Sequence, residues 1–122
     1  MITLRQVIDR VDQIKPNAFT EEQKTQWINE VEGAIQSEVF LFQTEDIVEY
    51  DWETCADHEM LVRPPYHQLY IDYLAAKIDF ANDEIKRYEN SMQMFNESLR
   101  RFKKWYILNY RPADRGCCCE SV

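Results

Sequence analysis

The residues in this chain best suited to chemistry are carboxylates. Asp79, Asp83 and Glu84 fall one helical turn apart, and Glu30 and Glu32 lie on a separate stretch that can face them. Carboxylates converging from neighbouring helices hold magnesium, and the metal then activates water against a phosphoanhydride. The ExxE and ExxD pairs that such helical sites use are absent. Lys77, Lys86 and Arg87 are close enough to turn these acids into an ion-paired surface instead. A second acidic run, Asp51 to Glu59, offers oxygens to calcium or magnesium. It lacks the D-x-[DN]-x-[DN]-G spacing and any glycine to close the loop, so it reads as a solvated acidic loop.

Other chemistry is no better served. His58 and His67 have no Ser or Cys partner at a meaningful spacing. Cys55 stands alone, and Cys117-Cys118-Cys119 cannot share one disulfide partner. All four cysteines read as thiols in a reducing compartment. Two glycines as far apart as Gly33 and Gly116 cannot build a phosphate loop. The expectation is therefore a protein that is not an enzyme, with no catalytic, cofactor-binding or metal-ligating residue.

Charge is unevenly spread over the 122 residues, whose net formal charge is −8. No Lys or Arg occurs between Lys24 and Arg63, where ten acids lie, Glu49 and Asp51 among them. Such a field repels phosphates, so nonspecific DNA binding through this region is not expected, and no sequence-specific nucleic-acid partner is expected either. Arg100, Arg101, Lys103 and Lys104 form a basic cluster near the other end. Beside Phe102 and Trp105 it reads as a solvated helix face with apolar anchors turned inward. An acidic middle and a basic end suit head-to-tail contact between copies, or simply two solvated faces. No apolar run is long enough to span a bilayer, and Met1-Ile2-Thr3-Leu4-Arg5 lacks the apolar core of a signal peptide. A cytoplasmic location with no membrane partner is expected.

The elements that position these residues are helices. Leu4, Val7, Ile8, Val11 and Ile14 share one face of a first helix that Thr3 caps and Pro16 ends. Thr20-Glu21-Glu22-Gln23 is a capping-box pattern opening a second helix, whose stripe is Trp27, Val31, Ala34, Ile35 and Val39. Gly33 within it marks either a close helix crossing or a wet face. Around residues 40–62 helical periodicity fades. Ile47-Val48-Glu49-Tyr50 and Met60-Leu61-Val62 predict a short β-ribbon or an irregular insert there.

From Tyr66 to Tyr110 there is no Gly or Pro, and ten of the sixteen aromatic residues lie in that block. It reads as two helices. The third starts after Pro64-Pro65, and the fourth starts near Glu89-Asn90 because Asn90-Ser91-Met92-Gln93 repeats the capping logic. Phe80 and Ile85 are assigned to apolar stripes of the third helix. The prediction is an all-α domain of four main helices in a small bundle over residues 1–111, with a flexible tail over 112–122. Tyr70, Trp105, Tyr106 and Tyr110 are the candidate aromatic interface anchors, with the core as the competing place, above all for Tyr70. Arg100, Arg101, Glu49 and Asp51 are the candidate charged interface residues.

Three stretches carry a resemblance. They are Ile14-Lys15-Pro16-Asn17-Ala18-Phe19 followed by Trp27-Ile28-Asn29-Glu30-Val31-Glu32-Gly33; Pro64-Pro65-Tyr66 with Leu69-Tyr70 and Tyr73 to Asp79; and Tyr88-Glu89-Asn90 with Met94-Phe95-Asn96. Together they resemble a family of small proteins in prophages of Gram-positive bacteria, similar to the helical head–tail connector (adaptor) proteins of tailed bacteriophages. The resemblance spans about residues 4–110 and contains no catalytic signature. It implies a virion structural role: a ring of identical copies between portal and tail, with the portal and a neighbouring connector or tail protein as partners. It further implies assembly in the cytoplasm of the host bacterium, residence in the virion, and an acidic stretch suited to passive lining of a DNA channel. Helices three and four and the 40–62 segment are the interface candidates by that analogy. Two other classes remain open from the residues: an all-α magnesium-dependent nucleotide pyrophosphohydrolase-like enzyme and a regulatory protein-binding module.

Overall fold

The computed structural model describes residues 2–109, and among them the fold is all-α. Helix α1 spans Leu4–Ile14, α2 Glu21–Glu38, the one-turn α3 Trp52–Cys55, α4 Gln68–Ala81 and α5 Ile85–Asn109. A 3-10 turn over Thr44–Asp46 is the remaining regular element. Tyr110, the Cys117-Cys118-Cys119 triplet and the expected tail lie outside the described residues.

Both N-terminal helices start where their caps place them. The Thr3 hydroxyl accepts the Gln6 amide at 3.2 Å, and the Gln6 side chain accepts the Thr3 amide at 3.0 Å, a complete reciprocal box. Thr20 accepts the Gln23 amide at 3.1 Å, the hydroxyl half of the expected box. Lys15 caps α1 immediately before Pro16. Ile14, expected on the buried face, is 62% exposed, although the next residue, Lys15, reaches Asp79 of α4 at 2.8 Å.

The core gathers Leu4, Val7, Ile8 and Val11 of α1, Ile28, Val31 and Ile35 of α2, Leu69, Leu74 and Ile78 of α4, and Phe95 and Phe102 of α5. Helix α4 is central, buried over a wide arc that includes Asp72 and Asp79. Gly33 does not mark a close crossing: a Cβ placed there would have nothing within 4 Å.

The break between the last two helices falls earlier than expected. Asn82, Asp83 and Glu84 turn the chain, with Asp83 at φ 60°. Backbone amides of Asn82, Asp83 and Glu84 donate to the Ile78, Phe80 and Asp79 carbonyls, satisfying the open C-terminal carbonyls of α4. Asp tolerates this left-handed conformation better than most residues. Asn90 and Ser91 lie inside α5, where the Ser91 hydroxyl donates to Asp79 at 2.9 Å instead of capping. Phe80 and Ile85, on either side of the turn, are 59% and 51% exposed, because the turn carries them off the end of the hairpin. With 25 residues against 14, α5 outruns α4 by roughly 16 Å at 1.5 Å per residue.

The insert is irregular rather than a ribbon. Ile47–Tyr50 and Met60–Val62 do not pair with each other, since each run spends its peptide groups elsewhere. The only bridge among the described residues joins Thr3 to Glu59, and the Met60 amide donates to Ile2. The Pro64–Pro65 peptide that follows is cis.

Candidate functional site

The overhanging end of α5 carries an aromatic cleft. Phe102 is almost fully buried and forms its floor. Around it the ring centroids of Tyr66 and Trp105 are 5.3 Å apart, those of Phe40 and Tyr106 5.0 Å, and those of Phe40 and Phe42 5.5 Å. The rings of Phe40, Tyr66, Phe102, Trp105 and Tyr106, with Leu61, Arg63 and the Pro64-Pro65 pair, line an open cleft of ≈ 660 Å³. Two hydrophobic pairs stand exposed beside this end: Leu41 and Phe42, just after α2, and Ile107 and Leu108, at the end of α5. Such a surface can desolvate apolar groups of a partner. Trp105 and Tyr106, singled out from sequence, are half-buried members of it.

Tyr70, offered as an interface anchor, is instead fully buried. Its hydroxyl donates to Glu32 at 2.6 Å, and the Val62 amide donates to that hydroxyl at 2.9 Å. Glu32 also accepts the Tyr50 hydroxyl at 2.8 Å and the Leu61 amide at 3.1 Å. Burial pushes the Glu32 carboxyl above its usual range, while the Tyr70, Leu61 and Tyr50 donors hold it down in part. The Tyr50 and Tyr70 phenols are both raised, first by burial and then by the adjacent carboxylate.

Asn29 and Gln36 extend this clamp along one face of α2. The Asn29 amide donates to the Tyr50 carbonyl at 2.9 Å and accepts the Tyr50 amide at 2.8 Å. Gln36 does the same for Val48, at 3.0 Å and 2.8 Å. Three side chains thus do for the insert what a neighbouring strand would do, which explains its lack of a β partner. Sequence reasoning missed Asn29 and Gln36, and took Glu32 only as a candidate metal carboxylate. Their signal is the polar series Asn29, Glu32, Gln36 at i, i+3 and i+7, adjoining the apolar stripe of α2.

The carboxylates considered for magnesium are dispersed. Asp79 pairs with Lys15 at 2.8 Å and accepts Ser91, and Asp83 sits in the turn. Glu30 accepts the Tyr73 hydroxyl and pairs with Lys77, Glu84 pairs with Arg87, and Glu32 faces the two tyrosines. Among the described residues no group of three or more His, Cys, Asp or Glu side chains is arranged to hold a metal ion. His58 contacts the Glu59 carbonyl, whereas His67 lies 3.4 Å from Arg10 and is held below its usual range, mainly by burial.

The charged interface candidates are on the surface. Asp51 caps α3 through the Glu53 amide, and Glu49 is exposed. Arg100 pairs with Glu97 at 2.6 Å, and Arg101 and Lys104 point outward. No helix among the described residues is long and apolar enough to cross a membrane. Compared with known proteins, this chain matches no family model, no curated protein and no solved structure.

Proposed function

We propose that this chain is a non-enzymatic structural protein of a tailed phage or prophage, a head–tail connector subunit that forms a ring between portal and tail. The observation that carries the reading is the exposed apolar surface beside the aromatic cleft, where Leu41, Ile107 and Leu108 each remain about 60% exposed. Aliphatic side chains held that far into water on an ordered scaffold are what a subunit surface looks like before its partner covers it. The resemblance carried by Pro64-Pro65-Tyr66, the Tyr73 to Asp79 run and Tyr88-Glu89-Asn90 supplies the identity of the assembly. The partners are further copies of this chain, the portal, and the next connector or tail protein. Assembly takes place in the cytoplasm of the host bacterium, and the mature location is the virion.

Deleting the gene from the phage or prophage that carries it and imaging the resulting particles tests the reading. DNA-filled heads without tails, with the protein found by mass spectrometry in wild-type particles, are expected. Tailed infectious particles from the deletion strain, or magnesium-dependent pyrophosphate release from nucleotides that Asp83→Asn abolishes, would overturn it.

A further inference from the structure

We propose that the outer face of the C-terminal half of α5 docks onto the 41–53 segment of a second copy of this chain. The proposal rests on the reading that copies assemble, and adds which two surfaces meet.

Arg100, Arg101, Lys104 and Leu108 fall within about 100° of one another around α5 at 100° per residue, opposite Phe95 and Phe102, which enter the core. Ile107 flanks this arc. Glu97 lies in the same arc and pairs with Arg100, so the face is net basic through Arg101 and Lys104, with aliphatic side chains set into it, 62% exposed at Ile107 and 59% at Leu108. The 41–53 segment has the inverse charge and the same apolar content. Glu45, Asp46, Glu49 and Glu53 are exposed, and Leu41, Phe42 and Val48 stand out between them at 60%, 41% and 42%. Apolar centres with a charged rim of opposite sign are what complementary docking faces carry.

Within one copy the two surfaces adjoin at Phe40, whose ring centroid lies 5.0 Å from that of Tyr106, but their charged parts do not meet. The insert hangs from Glu32 and Gln36, whereas Lys103 of α5 lies beside Ala34 and Glu38, about 200° away around α2. Among the described residues no ion pair joins an acid of 45–59 to a base of α5; Arg100 pairs within its own helix and Asp57 pairs with Arg5. The two faces differ, so the contact is head-to-tail, and it closes into a ring when the rotation per copy divides a full turn.

Salt gives the sign of the test. Copies of net charge −8 repel, so association that ignores the patches strengthens as salt screens that repulsion. Docking between opposite patches weakens with salt. Sedimentation of the full chain over a concentration series, at low and high ionic strength, is expected to show association that salt weakens. Arg101→Glu with Lys104→Glu is expected to weaken it about tenfold, equivalent to about 1.4 kcal/mol. Asp46→Lys with Glu49→Lys is expected to weaken it similarly, and mixing the two double variants, each first shown to fold by its circular dichroism, should restore it. Association that strengthens with salt, a mixture that stays apart, or a chain that remains monomeric throughout overturns the proposal. So does duplex DNA retained by wild type and lost in Arg101→Glu/Lys104→Glu without self-association. A salt-weakened, swap-rescued contact in a protein missing from virions would leave this inference standing and remove the connector function; tailless deletion particles with no such contact would do the reverse.

Discussion

Tyr70 donates to a Glu32 carboxylate oxygen at 2.6 Å and accepts the Val62 amide at 2.9 Å, so one hydroxyl ties α4 to both α2 and the insert. Tyr70→Phe keeps the ring and removes the tie, leaving a buried amide and a buried carboxylate each short of a partner. Destabilisation of about 1–3 kcal/mol is expected from urea unfolding. Glu32→Ala removes the acceptor of three donors and opens a cavity, so it should cost more than Tyr70→Phe. An equal or smaller loss would show that the clamp contributes little.

Glu32 also gives the fold an unusual pH dependence. Burial holds its folded pKa above the ordinary carboxyl value of 4.5, so between the two values the folded state holds more protons than the unfolded one. The corresponding stability is fully present below about 4.5 and is lost as pH rises through the raised value, the reverse of a salt-bridged carboxylate. Glu32→Gln removes the titration. The stability of wild type relative to Glu32→Gln should therefore fall as pH rises from about 4.5. Urea unfolding of both proteins across that range reads it directly, and a constant difference would contradict it.

Gly33 faces open space within α2. Gly33→Ala should add helix propensity without a clash and raise stability by about 0.8–1 kcal/mol. A thermal unfolding scan that shows loss instead would mean that the face is covered in the assembled protein or crowded in solution.

Leu41 holds φ at 60° with its side chain 60% exposed. A leucine in the left-handed region costs about 1–2 kcal/mol, and here little intramolecular burial offsets it. Leu41→Gly should stabilise the monomer by about 1 kcal/mol in urea unfolding. If the segment docks as inferred, the same variant should also weaken self-association in sedimentation. Stabilisation without weaker association would place Leu41 outside the contact.

Much of this fold was legible because its signals are local. The Thr3 and Thr20 caps, Pro16, and the period of Leu4, Val7, Ile8 and Val11 fix α1 and α2 with no outside help. The α4–α5 break was misplaced because Asn90-Ser91-Met92-Gln93 carries a cap's composition, while the turn depends on Asp83 accepting a positive φ. Sequence does not display that acceptance. The insert was harder still. Val48, Tyr50 and Leu61 have strand-like composition, but their path is set by Gln36, Asn29 and Glu32, which are 12, 21 and 29 residues away along the chain. Tyr70 stood between interface and core, with the core the stronger competitor, for the same reason: an aromatic hydroxyl suits either an interface or a buried acceptor, and only the position of Glu32 decides between them. Trp105 and Tyr106 could be singled out only as aromatics suited to an interface; that α5 outruns α4 there follows from the turn at Asp83, which the sequence reading placed later.

The insert is fastened through its peptide groups and through the inward side chains of Tyr50, Met60 and Val62, so most of its outward side chains carry no duty to the scaffold. Glu45, Asp46 and Glu49 are therefore free to drift in kind and sign while α2 continues to hold the same path. A lineage that swapped its docking neighbour would need only to rewrite those letters, leaving the helices beneath untouched.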